Sequence, residues 1–139
     1  MKIKKSYFAS EIDIREVKGN LWLLEELTYY SKLFQIKVTL KRKFIFDGAS
    51  APYRIRGLTH VRDYKYLRAA CVHDGVCRID CNLTWKQKAL LYDECLKVLG
   101  MGRYERAKAY YPIRWLGSAT KDPKLLANAK MYVRVEDFK

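Results

Sequence analysis

Between Phe34 and Phe46 the chain alternates with a period of two. Phe34, Ile36, Val38, Leu40, Phe44 and Phe46 share one parity, and Gln35, Lys37, Thr39, Lys41 and Lys43 share the other. Successive side chains of a strand point to opposite faces, so this pattern demands a sheet with one packed face and one wet, cationic face. Arg42 is the single break in the apolar row. A lone amphipathic strand cannot bury its apolar side. Leu21 to Tyr30, rich in large apolar and aromatic residues, reads as its partner, with Ser31-Lys32 as the hairpin turn. Residues 1–20 alternate loosely through Ile3, Tyr7, Ile12 and Ile14 and supply a further short strand, closed by Gly19-Asn20.

The ribbon turns on Asp47-Gly48-Ala49-Ser50, and Pro52 bars its continuation. Gly48 permits backbone angles that other residues resist, so the loop can present Asp47 at the strand's polar end. The plainer reading is a turn in which Asp47 accepts backbone N–H bonds. Past a polar connection, Tyr66, Ala69 or Ala70, His73 and Val76 or Cys77 recur at helical spacing over about Tyr64–Cys77, which places His73 on the core-facing stripe. Asp74 follows it, about 100° around the helix, so both side chains can border one pocket without bonding each other. Asp47, His73 and Asp74 are therefore the candidate catalytic centre. Its carboxylates and imidazole could hold a divalent metal with an open position, or His73 could serve as a general base oriented by Asp47. Ser50 is the only hydroxyl close enough in sequence to propose beside it. The plainer alternative is a histidine satisfied within the core.

Thr84-Trp-Lys-Gln87 has capping-box spacing and opens a second helix whose stripe is Trp85, Ala89, Tyr92, Leu96 and Leu99, ended by Gly100. A third helix spans Arg103 to Trp115 with Tyr104, Ala107, Tyr111 and Trp115 on one side. Pro112 kinks or restarts it, and Gly117 closes it. The tail alternates over Met131–Val135 and suggests an edge strand. The expected class is α+β: a small antiparallel sheet from the first half, packed by two or three helices from the second. With 139 residues, half of them hydrophobic, a single domain over 1–139 is expected.

The formal charge of +13 is spread, 15 basic against 7 acidic residues up to Ala70 and 13 against 8 beyond it. Such a balance suits nucleic acid, an anionic surface or an acidic protein partner. Lys37, Lys41, Lys43, Arg54, Arg56 and Arg114 are the candidate basic binding surface. Aromatic residues do not accompany the lysines on the strand's polar face, so that strand offers no stacking platform. Four cysteines, Cys71, Cys77, Cys81 and Cys95, occur without an export signal, which favours reduced thiols. With His73 they spell C-x-H-x3-C-x3-C, but two of these positions fall inside a helix rather than on the turns that zinc sites use, so small buried hydrophobes are the better reading. No run of about 18 apolar residues occurs, so no membrane span is expected.

The order of a hydrophobic strand pair, then Phe46-Asp47-Gly-Ala-Ser50-Ala-Pro52, then Ala69-Ala-Cys-Val-His73-Asp74, then Tyr111-Pro-Ile-Arg114-Trp-Leu-Gly117, resembles small phage and prophage proteins grouped as domain-of-unknown-function family 1353. The resemblance covers about residues 20–117 and leaves 118–139 as a C-terminal extension. It departs from the family pattern at Cys77, where an aromatic is usual, and at Ala89, where an Asp is usual. It implies a bacteriophage source and a compact domain, without an established chemistry. The expected role is a basic structural or assembly accessory of the virion or tail, touching other phage structural proteins or nucleic acid, as a monomer or an oligomer. Its expected location is the host cytoplasm or the particle, and no cofactor is expected. The alternatives are a hydrolase, with or without a divalent metal, built on Asp47, His73 and Asp74, and a nucleic-acid-binding or host-takeover protein.

Overall fold

The computed structural model describes residues 2–18, 20–46, 66–116 and 120–139. The strands β1 (Tyr7–Phe8), β2 (Ile14–Val17), β3 (Asn20–Leu23), β4 (Leu27–Ser31), β5 (Ile36–Leu40) and β6 (Ile45–Phe46) come first. The helices α1 (Leu67–Arg78), α2 (Trp85–Val98), α3 (Arg103–Leu116) and α4 (Pro123–Tyr132) follow, and β7 (Val133–Asp137) succeeds α4 directly. All strand pairs are antiparallel, so the α+β class holds. Among the described residues the strands form two sheets rather than one. A four-stranded sheet runs β1-β4-β5-β7 and a three-stranded sheet runs β2-β3-β6.

The long alternating stretch supplies a strand to each sheet. Its apolar row, Phe34 to Phe46, is buried throughout. The chain leaves β5 at Leu40, turns through Lys41–Lys43 with Lys43 at φ 82°, and enters β6. Thr39, expected on the wet face, is buried as well, since β5 is a central strand held between β4 and β7. The region read as one strand from Leu21 to Tyr30 is likewise two, β3 and β4, in different sheets. The hairpin at Ser31-Lys32 is present: Ser31 pairs with Ile36, and the Ser31 hydroxyl accepts from Phe34 N–H at 3.1 Å.

The capping box of α2 is complete. Gln87 N–H donates to Thr84 Oγ1 at 3.1 Å and Thr84 N–H donates to Gln87 Oε1 at 2.9 Å. Gly100, at φ 92°, ends that helix in the left-handed conformation that glycine adopts without penalty. Where two or three helices are expected, the described residues form four. Asp122 caps α4 by accepting from Lys124 N–H, with Pro123 at the helix's first turn.

Helix α1 packs on β5, β6, β7, α2 and α4. Its closest approach is at Gly75, where an added Cβ would stand 2.5 Å from Leu40 Cδ2 and 3.3 Å from Val133 Cγ1. Leu40 is itself fully buried and has nowhere to swing. Helix propensity alone would make Gly75→Ala stabilising by about 1 kcal/mol, whereas the overlap should cost about 1–3 kcal/mol. We expect a net loss in urea denaturation that turns into a gain in a Leu40→Ala background. A gain in the wild-type background would show that the contact is slack.

Candidate functional site

The polar centre of the molecule is on α1. Its apolar spacing turns one face to the sheets and another to α2, and the positions between carry Asp74 and Arg78 into the interior. His73 is 1% exposed and fully within the core. Its ring centroid lies 5.0 Å from that of Tyr92 and 6.5 Å, edge-on, from that of Trp85, both on α2. One turn along α1, Cys77 Sγ is 3.3 Å from His73 Nε2. The other ring nitrogen, Nδ1, and the hydroxyl of Tyr92 are both buried with no hydrogen-bond partner among the described residues.

Burial sets the protonation of this group. Loss of hydration pulls the His73 imidazole down to about 3, and the charges of Lys88 and Arg78 push the same way. Burial also pushes the Cys77 thiol up to about 12, with Asp74 adding to the rise. Tyr92 is raised beyond its ordinary value, first by burial and then by Asp74. At neutral pH the centre is a neutral imidazole facing a neutral thiol and a neutral phenol. An imidazole that protonates only near pH 3 is a weak base, so it can donate or accept a hydrogen bond far more readily than it can abstract a proton.

Beside it lies a buried ion pair. Arg78 Nη2 is 3.5 Å from Asp74 Oδ2, and the two side chains are 4% and 8% exposed. Arg78 Nη1 also donates to the carbonyl of Ile45 at 2.6 Å, and the guanidinium sits 5.9 Å from the Phe44 ring centroid. The last turn of α1 is thereby tied to β6.

Asp47, the expected companion of His73, lies outside the described residues, as do Ser50, Arg54 and Arg56. His73 and Asp74 are brought into one buried cluster, in which Asp74 pairs with Arg78. The candidate cations do not share a setting. Lys37 is on β5, half-buried, with Nζ 5.7 Å from the Tyr30 ring centroid and Glu136 opposite in register. Lys41 and Lys43 occupy the turn between the sheets, where Asn128 Nδ2 donates to Lys43 O. Arg114 is half-buried on α3, which packs against α2. Among the cysteines, Cys71 and Cys95 are buried in the core, as small hydrophobes are, while Cys77 and Cys81 are half-buried. No cluster of three metal-ligating side chains occurs among the described residues.

A family model described as "Protein of unknown function (DUF1353)" matches residues 21–113. The chain belongs to that family. No curated protein and no solved structure matches it. The DUF1353 match runs from β3 through Ile113 of α3 and so contains the whole His73 cluster. It leaves out β7, whose Val133 packs at Gly75, so residues beyond the DUF1353 match help close the core around the helix that carries His73. Among the described residues no helix is long and apolar enough to cross a membrane.

The sequence pattern sets Cys77 on the stripe of His73 without making it a contact of the imidazole, and it does not point to Arg78 or Tyr92 as members of the cluster. Cys77 and Arg78 were within reach: His73 to Cys77 and Asp74 to Arg78 are both i,i+4, the spacing at which helix side chains meet. Tyr92 was not, because its proximity depends on how α1 and α2 are set against each other.

Proposed function

We propose that this protein is a small cationic accessory of a bacteriophage particle or of its assembly, working by docking rather than by turnover. The observation that carries the reading is the outer face of α3. Helix α3 buries Ala109 and Ile113 and leaves Tyr104 73%, Tyr111 49% and Trp115 76% exposed. Tyr104, Lys108, Tyr111 and Trp115 lie along one side of the helix, the side that the sequence pattern grouped without fixing its direction. The Tyr111 and Trp115 rings touch at 5.2 Å between centroids, and Lys108 Nζ sits 4.6 Å from the Tyr104 ring centroid. Contiguous exposed aromatic surface marks interaction sites, and Trp, Tyr and Arg are the residues that dominate contact energies.

The test is particle purification from the phage or prophage host that encodes the chain, with detection by mass spectrometry. We expect the protein in particles or assembly intermediates, and at least a ten-fold drop in incorporation for Tyr111→Ala/Trp115→Ala at unchanged thermal stability. Absence from both mature particles and intermediates overturns the reading.

A second reading, a hydrolytic centre at His73, is favoured by one observation. Two buried polar atoms on neighbouring rings, His73 Nδ1 and the Tyr92 hydroxyl, have no hydrogen-bond partner among the described residues, and such atoms cost about 1–3 kcal/mol each unless another group completes them. In that reading Asp47, Asp74 and a divalent metal are the completing groups to test. Turnover of peptidoglycan or nucleotide substrates, with and without added metal, would have to disappear in His73→Ala. Equal rates in the variant rule it out.

A further inference from the structure

We infer that the outer face of α3 binds a single strand of nucleic acid, with bases stacked on Tyr104, Tyr111 and Trp115 and phosphates met by Arg103, Lys108 and Arg114. The inference rests on the reading of α3 as the docking face and names what that face takes.

The chemistry of the face selects this ligand. Eleven residues separate Tyr104 from Trp115, which places the three rings along about 16 Å of helix. Lys108 follows Tyr104 by one turn, Trp115 follows Tyr111 by one turn, and Arg103 and Arg114 flank the aromatic row. Lys108 lies on the same line as the three rings, while Arg103 and the half-buried Arg114 border that line about 100° around the helix. A single strand offers a planar base and an anionic phosphate with every nucleotide, and this combination answers both. An acidic protein surface would engage the cations and leave the rings against carboxylates. A duplex keeps its bases stacked inside, where a rigid helix face cannot reach their planes. Glu105 is the one acid of α3, and it stands 3.7 Å from Lys108 Nζ in an exposed pair that water largely screens. The chain's formal charge of +13 adds attraction at longer range.

The experiment is fluorescence anisotropy of the full chain with a labelled oligothymidine of about 20 nucleotides, and with a duplex of equal length, at 50 and 200 mM salt. We expect the single strand to bind at least ten-fold tighter than the duplex, with Trp115 fluorescence quenched on binding. Tyr111→Ala/Trp115→Ala should weaken binding roughly ten-fold or more, Trp115→Phe should restore most of it, and Lys108→Gln should reduce the salt slope by about 0.7. Circular dichroism confirms that each variant is folded. Absent binding, or binding that is equal for duplex and single strand and indifferent to the aromatic changes, overturns the inference. If the aromatic variants drop out of particles while no oligonucleotide binds, the docking face stands and its occupant is a protein. If α3-dependent oligonucleotide binding is found and particles lack the protein, the accessory role fails and this inference stands.

Discussion

Arg78→Met is expected to destabilise the fold by about 3–5 kcal/mol. The reason is the residue left behind. Asp74 is nearly sealed from water, and removing the guanidinium leaves a carboxylate in the interior without the cation 3.5 Å away. The same change removes the donor to Ile45 O and the cation over Phe44, so β6 loses its tie to the end of α1. Arg78→Lys should recover only part of the loss, since one ammonium cannot reproduce a planar fork that reaches a carbonyl and a carboxylate together. Replacing both members, Asp74→Leu with Arg78→Met, should cost less than the sum of the two single changes, because neither charge is then left buried without the other. Urea denaturation of the four variants reads this directly. Single-site costs below about 1 kcal/mol, the range of exposed pairs, would mean that water reaches the pair and that α1 is not anchored in this way.

The pattern in the strands shows how far residues alone could carry the fold. The parity of Phe34 to Phe46 correctly named every buried side chain in the row, yet concealed that the chain changes sheets at Lys41–Lys43. Leu40 and Phe44 keep the same parity across the turn, and Arg42 alone interrupts the apolar row there. A single polar residue in the row does not by itself announce a change of sheet, and nothing in a lysine signals the positive φ at Lys43. Helix α4 is hard to read from its residues even with Asp122-Pro123 as a start signal, because Ala129 is its one buried residue and its apolar stripe is faint. For α3 the period was legible and the direction was not. Three large aromatics on one side argue for burial on composition, and the smaller Ala109 and Ile113 took the inner positions instead. The inward face of His73 followed from its spacing, whereas the hydroxyl of Tyr92 beside it did not.

Acidification from pH 7 to pH 5 is expected to cost the protein about 2 kcal/mol through His73 alone. In the unfolded chain the imidazole takes up a proton near its ordinary 6.5, and in the fold it resists until about 3. Between those values the unfolded state holds the extra proton, so the stability contributed by the neutral imidazole is complete above about pH 6.5 and is lost as pH falls toward 3. The slope is about 1.4 kcal/mol per pH unit between the two values, and the loss reaches about 4 kcal/mol by pH 3. Most carboxylates titrate below pH 5, so the window from 7 to 5 isolates histidine. Urea midpoints at pH 7, 6 and 5, for the wild type and for His73→Gln, should show the fall in the first and a nearly flat line in the second. A flat wild-type profile would mean that the imidazole gains protons in the fold as easily as out of it. His73 would then be a base of ordinary strength beside a thiol and a phenol, and the case for turnover at this centre would overtake the case for docking.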